Sequence, residues 1–299
     1  MKHIVLTTKA SEGYELIDSG GGEKLERFGA FVLRRPDPEV LYEKKLPLSE
    51  WDKADGTFFR DGKNTKWNMK KEVPAKWEIE FEGLKLWIKP TSFKHTGLFP
   101  EQSENWKWME KIIKARISDG KKMEVLNLFG YTGGATLAGA RSGADMCHVD
   151  GSKIAISWGR ENAELSGLSE KPIRWILDDA MKFLTREIKR GKKYDGMLID
   201  PPAFGHGPEG ELWKIEEHFR ELFKKCTELL SDDPAFFLIN GYASGYSPLA
   251  YENNLLELVS KYGGEIESGE LAIEESSGNP RQGGASRLLP CGIFARWER

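Results

Sequence analysis

The sequence predicts an α/β protein: a mostly parallel sheet covered by helices, preceded by a small β-rich N-terminal domain. Three observations predict it. From about residue 105, short apolar runs alternate with amphipathic stretches of helical length, the pattern of a parallel sheet with right-handed crossovers. Before residue 90 the periodicity is two residues. Glycines and acids fall just after the apolar runs, at the strand ends where open α/β sheets bind ligands. At 299 residues the chain is long enough for two domains, expected at 1–90 and 91–299.

In the first part, Trp77, Ile79 and Phe81 alternate with Glu78, Glu80 and Glu82. Gly83 turns the chain, and Leu84–Lys89 returns as the second strand of a hairpin with one wet face. The run D-S-G-G-G-E at 18–23 reads as a flexible turn, and R-R-P-D-P at 34–38 as a proline-limited boundary. In the second part, strands are expected at Met123–Leu128, Met146–Val149, Ile173–Leu177, Tyr194–Ile199 and Ala235–Ile239. Helices are expected at Gly134–Ser142, Ser152–Ser166, Ala180–Lys189, Leu212–Leu230 and Leu249–Tyr262. The closing apolar runs, Leu271–Ile273 and Cys291–Trp297, have no helix between them and predict an antiparallel edge pair.

Composition narrows the function classes. Hydrophobic residues at 39% and charged residues at 30% describe an ordinary globular chain. No run approaches the roughly 18 apolar residues of a membrane helix, and the opening M-K-H-I-V-L-T-T-K-A lacks a signal-peptide core. Cys147, Cys226 and Cys291 are odd in number and far apart, fitting neither a metal knuckle nor a disulfide framework. A reducing cytoplasm is therefore expected. His3, His95, His148, His206 and His218 show no ligand spacing, so no metal is expected.

Net charge is −3, yet residues 60–94 hold nine basic against five acidic side chains. Trp67, Trp77 and Trp87 lie among those lysines. This segment reads either as a solvated strand surface or as a contact for a polyanion. The segment 277–287 reads as a mobile loop in which Arg281 and Arg287 either meet a phosphate or keep the loop solvated.

The strand ends carry the chemistry. After the first strand of the second part comes N-L-F-G-Y-T-G-G, Asn127 to Gly134. Its G-x-x-G-G spacing differs from the G-x-G-x-x-G of dinucleotide sites and it has no lysine for a triphosphate, which disfavours a nicotinamide dehydrogenase. Asp150 ends the next strand, placed either for the two hydroxyls of a ribose or as a helix N-cap. Of Asp178 and Asp179, one caps the following helix and the other is open to an exocyclic amine. The fourth strand delivers D-P-P-A-F, Asp200 to Phe204. Its two prolines stiffen the loop and are expected to leave carbonyls open to a planar amine, while Phe204 offers a stacking face.

In this order, V-L-N-L-F-G-Y-T-G-G, Asp150, Asp178-Asp179-Ala180 and D-P-P-A-F resemble the class I S-adenosylmethionine-dependent methyltransferases. More narrowly they look like the bacterial branch acting on large-subunit ribosomal RNA at cytosine C5 or guanine N7. The segment F-K-H-T-G-L-F-P-E-Q, Phe93 to Gln102, is similar to an element preceding the catalytic domain there. The resemblance implies a Rossmann-like, seven-stranded sheet with an antiparallel edge strand, S-adenosylmethionine as cofactor and ribosomal RNA as partner. It assigns Asn127, Phe129, Gly130, Tyr131, Thr132 and Gly133 to the methionine part of the cofactor, Asp150 to the ribose, and Asp179 with Ala180 to the adenine. The resemblance also implies that Thr96, Phe99 and Gln102 line the same pocket and that Asp200, Pro201, Pro202 and Phe204 face the acceptor, with Asp200 also touching the cofactor.

Attack by cytosine C5 needs a thiolate in a strand-end loop. The loop after the fifth strand, N-G-Y-A-S-G-Y at 240–246, has none, and the three cysteines fall where core residues are expected. A base nitrogen is therefore the favoured acceptor, with Tyr242 and Tyr246 either lining its site or packing. Cytosine C5 methylation and a non-catalytic RNA-binding protein on the same fold stand as alternatives.

Overall fold

The computed structural model describes residues 3–61, 64–92, 94–242, 245–277 and 286–299. Lys63, Phe93, Ala243, Ser244 and Arg281, which the sequence singles out, lie outside the described residues. The strands are β1 His3–Thr8, β2 Tyr14–Gly20, β3 Glu23–Phe28 and β4 Phe31–Pro36, then, after helix α1 Leu48–Trp51, β5 Gly56–Asp61, β6 Asn64–Met69, β7 Trp77–Phe81 and β8 Leu84–Ile88. There follow α2 Ser103–Ser118, β9 Glu124–Leu128, α3 Gly134–Arg141, β10 Asp145–Asp150, α4 Lys153–Leu165, β11 Ile173–Leu177, α5 Ala180–Lys189 and β12 Gly196–Ile199. The chain closes with β13 Phe204–His206, β14 Leu212–Lys214, α6 Ile215–Glu228, β15 Phe236–Gly241, α7 Pro248–Tyr262, β16 Glu265–Glu274 and β17 Leu288–Glu298.

These elements form two compact units. One takes residues 1–6, 104–270 and 292–299; the other takes 7–103 and 271–291. The large sheet runs β1-β16-β17-β15-β12-β9-β10-β11. Its parallel part spans β15, β12, β9, β10 and β11, and β17 runs antiparallel to β15. The expected class holds, and the sheet carries eight strands because β1 adds to its edge. Every residue of β12 and β15 is buried, which is why both read as unbroken apolar runs. Phe183, Leu222, Phe223, Leu255 and Leu258 from α5, α6 and α7 join Leu126, Met197 and Phe237 from the strands in one core.

The strand ends are level. Leu128 pairs with Val149 on one side and Ile199 on the other, Asp150 pairs with Leu177, and Ile199 with Ile239. The chain leaves β9 for β10 in one direction and reaches β12 in the other, so the loops after β9 and β12 flank the topological switch point.

Two elements depart from expectation. The helix expected at Leu212–Leu230 begins only at Ile215; residues 212–214 pair with 204–206 in a hairpin instead. Leu212, Ile215 and Phe219 carry a helical spacing that hides it, and tertiary pairing overrides that period. Helix α2 was missed altogether. It buries Asn105, Trp106, Met109 and Ile113 on one face, a stripe diluted in the sequence by Lys107, Lys111 and Lys114.

The β-rich unit holds a five-stranded sheet, β2-β3-β4-β5-β6, and the hairpin β7-β8. That hairpin follows the sequence, with Glu82 (φ 50°) and Gly83 (φ 69°) making its two-residue turn. Its tryptophans have structural jobs: Trp77 donates to the Phe28 carbonyl at 2.9 Å and Trp67 to that of Thr91 at 2.8 Å, while Trp87 stacks under Lys76. Lys66 and Lys71 are exposed, and Lys70 reaches the Lys53 carbonyl at 2.6 Å. Arg287 is neither free for a phosphate nor a solubilising residue. Its guanidinium reaches buried Asp18 at 3.0 Å and buried Glu275 at 2.9 Å, and lies over the Tyr42 ring at 4.5 Å. Among the described residues no helix is long and apolar enough to cross a membrane.

Removing one partner of a buried ion pair leaves the other charge uncompensated. Arg287→Ala should destabilise the β-rich unit by about 3 kcal/mol or more. Urea unfolding followed by tryptophan fluorescence checks this; an unchanged midpoint would show that Lys45, 2.9 Å from Glu275, carries the load alone.

Candidate active site

The loop after β9 turns within six residues because three of them adopt left-handed backbone: Phe129 (φ 59°), Tyr131 (φ 51°) and Gly133 (φ 88°). Local bonds hold it. Gly130 N–H donates to the Val149 carbonyl at 3.1 Å, Gly133 N–H to that of Gly130 at 3.0 Å, and Asn162 Nδ2 to that of Thr132 at 2.9 Å. Gly130 is required by close approach: a Cβ there would lie 2.4 Å from the His148 ring. Gly134 is required likewise, with Trp106 at 2.4 Å.

Beneath the loop runs a buried polar chain. Asn127 Nδ2 donates to Thr136 Oγ1 at 2.9 Å, and that hydroxyl lies 2.9 Å from His148 Nδ1. The Thr136 hydroxyl, with one proton and two lone pairs, thus joins the amide and the imidazole in one buried chain. Burial pushes the His148 pKa down to about 3, so the ring is neutral. It packs 4.6 Å from the Trp175 ring.

Asp150 is not the helix cap. Ser152 caps α4, accepting from Ala155 N–H at 3.2 Å. Asp150 instead accepts from Tyr131 N–H (2.8 Å) with Oδ2 and from Ser152 N–H (2.7 Å) with Oδ1. Burial pushes its carboxyl up, against those two N–H groups. A carboxylate has about four acceptor directions, and these two bonds use half of them. Of the next acids, Asp179 caps α5, accepting from Lys182 N–H at 2.9 Å, and Asp178 pairs with Arg186. Ala180 is buried as the first residue of α5. Leu177 and Ile154, on the ends of β11 and α4, are exposed by 44% and 74%. Both escaped the sequence reading, since apolar residues at element ends look like core until their exposure is seen.

The Asp200–Phe204 loop is stiff but less open than expected. The Pro202 carbonyl accepts from Trp213 Nε1 at 2.6 Å, and that of Ala203 from Ile215 N–H at 3.0 Å. Each of those two carbonyls therefore already has one donor, brought by the unforeseen hairpin and the start of α6. Phe204 is 58% exposed, its ring 5.3 Å from that of His206. Trp213, also missed in the sequence, packs on Phe129 at 5.3 Å while holding Pro202, so one indole braces both loops. Near the end of β15, buried Asn240 accepts from Asn105 Nδ2 at 3.1 Å. Tyr251 sits against Gly241, its hydroxyl pushed up to about 12 by burial, with Tyr246 and Asp200 adding to it. Tyr242 and Tyr246 are more than one-third exposed.

Thr96, Phe99 and Gln102 lie in the β-rich unit. Thr96 and Gln102 are buried there, and Phe99 packs its ring 5.6 Å from that of His95. No group of His, Cys, Asp or Glu among the described residues is arranged to hold a metal.

A family model described as S-adenosylmethionine-dependent methyltransferase matches residues 56–258. A solved SAM-dependent methyltransferase from Agrobacterium tumefaciens is 37% identical, over 99% of this chain and 93% of that one, with a TM-score of 0.90. Ribosomal RNA large subunit methyltransferase I of Aeromonas salmonicida is 33% identical over 127 residues, 42% of this chain and 30% of that protein. Ribosomal RNA large subunit methyltransferase K of Neisseria meningitidis is 27% identical over 168 residues, 56% of this chain and 46% of that protein. The chain thus spans less than half the length of these curated relatives.

Asp150→Ala should weaken S-adenosylmethionine binding by about 1.5–3 kcal/mol, the scale of a hydrogen bond to a charged group. Unchanged affinity by calorimetry would leave Asp150 as a brace for Tyr131 alone. His148 gives a second expectation. Its folded pKa lies below the unfolded value of roughly 6.5, so acidification below that value protonates the unfolded state first and stability falls. From pH 6.5 to pH 5 this one ring should account for about 2 kcal/mol of lost stability. His148→Gln, measured by urea unfolding at both pH values, should show an acid loss smaller by that amount.

Proposed function

The chain belongs to the S-adenosylmethionine-dependent methyltransferase family, and from that premise we propose that it methylates a base nitrogen of ribosomal RNA in the cytoplasm. One observation carries the reading: the loop beside the switch point presents Asp200 and a well-exposed Phe204 on a support braced by Trp213. When bound, the cofactor supplies an electrophilic methyl group on a sulfonium. Asp150 would hold its ribose, and the Asn127–Gly134 loop its methionine end. Leu177, Ile154 and Asp179 would flank the adenine.

The chain's own residues then have an orienting task. Phe204 stacks the acceptor ring, a contact worth about 1–3 kcal/mol. Asp200 would accept a hydrogen bond from the ring's amine, fixing the nitrogen lone pair toward the methyl group. What favours nitrogen over cytosine C5 is the state of the thiols. Cys147 and Cys226 are buried on β10 and α6, and burial pushes Cys147 up to about 11 and Cys226 higher still. Cys291, on β17, is also pushed well up by burial. None is a ready thiolate. Exposed Lys66 and Lys71 would add contacts to RNA phosphates.

Transfer of labelled methyl groups to ribosomal RNA tests the reading. Wild type and the variants Cys147→Ala, Cys226→Ala and Cys291→Ala should agree within a few-fold. A covalent RNA adduct through any cysteine would restore the cytosine C5 assignment. Binding of RNA with no methyl transfer by the wild type would favour a non-catalytic role.

A further inference from the structure

The densest positive charge in the chain lies on α5 and just after it. Residues 180–193 hold six cations, Lys182, Arg186, Lys189, Arg190, Lys192 and Lys193, against the single carboxylate of Glu187. Five of the cations are exposed, whereas Glu187 is 1% exposed. Lys182, Arg186 and Lys189 share one face at intervals of about one helical turn.

A solvated helix face usually mixes signs in pairs three or four residues apart. Helix α6 does so, with Lys225 near Glu221 and, just before its first turn, Lys214 on Glu217. Helix α5 does not. The negative end of the helix dipole accounts for about half a charge near Lys189 and Arg190, and cannot account for Lys182 in the first turn. Lys182, Arg186 and Lys192 have counter-ions brought from outside the helix: Glu209 and Glu211, Asp178, and Glu124. Among the described residues no acid pairs with Lys189 or Lys193.

Glu187 organises the rest. Its Oε2 accepts from Arg174 Nη1 at 3.2 Å and from Tyr194 Oη at 2.6 Å, and its Oε1 accepts from Arg190 Nη1 at 2.9 Å. One buried negative charge thus fixes two guanidiniums, which remain 46% and 63% exposed. The site has a surplus positive charge with donors held in place, the arrangement that suits phosphate oxygens. Beside it, a cavity of ≈ 340 Å³ between α5 and α6 is lined by Lys182, Arg186 and Lys225, with Met181, Thr185 and Glu221. Lys182 also ties this face to the loop between β13 and β14, the hairpin that begins at Phe204.

We infer that the outer face of α5, centred on Arg174, Lys189, Arg190 and Lys193, docks the phosphate backbone of the RNA substrate. The inference rests on the RNA reading above and gives the catalytic unit its own contact with the strand whose base Phe204 receives. The test uses the full chain and two probes, purified ribosomal RNA and a short single-stranded RNA of mixed sequence, each titrated at two salt concentrations. The variant Lys189→Glu/Arg190→Glu/Lys193→Glu leaves Arg174 to neutralise Glu187, and Lys111→Glu/Lys114→Glu/Lys122→Glu on and after α2 makes the same change in net charge elsewhere. The α5 variant should bind both RNAs at least about tenfold more weakly at low salt, and its log–log salt slope should drop by about 2, at roughly 0.7 per lost single-strand contact. S-adenosylmethionine affinity should be unchanged in both variants. Equal affinity and slope for wild type and the α5 variant would overturn the docking surface while leaving the RNA reading intact, and so would equal losses in the two variants. No binding of either RNA by the wild type would overturn the RNA reading and this inference with it.

Discussion

The site depends on the register of five parallel strands. Because β9, β10 and β12 end level, Phe129, Asp150 and Asp200 leave the sheet side by side, though they are up to about seventy residues apart in sequence. The level ends also place Asp150 within hydrogen-bond reach of Tyr131 N–H. A slip of one residue between β9 and β10 would turn every side chain of one strand to the opposite face. It would carry away that bond and the contact of His148 with Gly130. The apolar runs of β12 and β15 are thus more than filling, since their burial on both faces holds the register that assembles the site.

Holding the loop after β9 has an energetic logic. A left-handed conformation costs a non-glycine residue about 1–2 kcal/mol, and Phe129 and Tyr131 both adopt it. A hydrogen bond to a charged group returns about 1.5–3 kcal/mol, and the Tyr131 N–H has such a partner in Asp150. The carboxylate at the end of β10 therefore fixes the loop beside it. Capping of α4 falls to Ser152, which directly precedes its first residue. The chain from Asn127 through Thr136 to His148 stiffens the same loop from below without placing a charge there.

Much of this was legible in the sequence because it follows period and composition. The β7–β8 hairpin is written in the alternation of Trp77 to Phe81 and in Gly83, and the sheet strands in runs such as Phe236–Ile239. The glycine loop, Asp150 and the Asp200–Phe204 loop were legible because residues with special backbones or charges stand at strand ends. What escaped depends on contacts that no local pattern encodes. Trp213 reads as a helical apolar residue, and only the β13–β14 pairing turns it between the two loops. His148 reads as one of five scattered histidines, and its role comes from lying under Gly130. Arg287 reads as a loop cation because its partners, Asp18 and Glu275, are 269 and 12 residues away.

Buried carboxylates show how this chain separates structural charge from functional charge. In the β-rich unit, Glu26 is matched by Arg35 with Tyr14 donating, and Asp18 and Glu275 share Arg287 while Trp51 and Lys45 add to them. Those cations are largely covered, so the groups satisfy one another and little charge is left for a partner. Glu187 is buried as completely, yet the guanidiniums it holds stand in solvent and outnumber it. Desolvation of the acid has already been offset inside the protein, and the donors it fixes need little ordering when an anion arrives. The same interaction, a carboxylate under an arginine, closes a structure when the arginine is covered and prepares a surface when it is not.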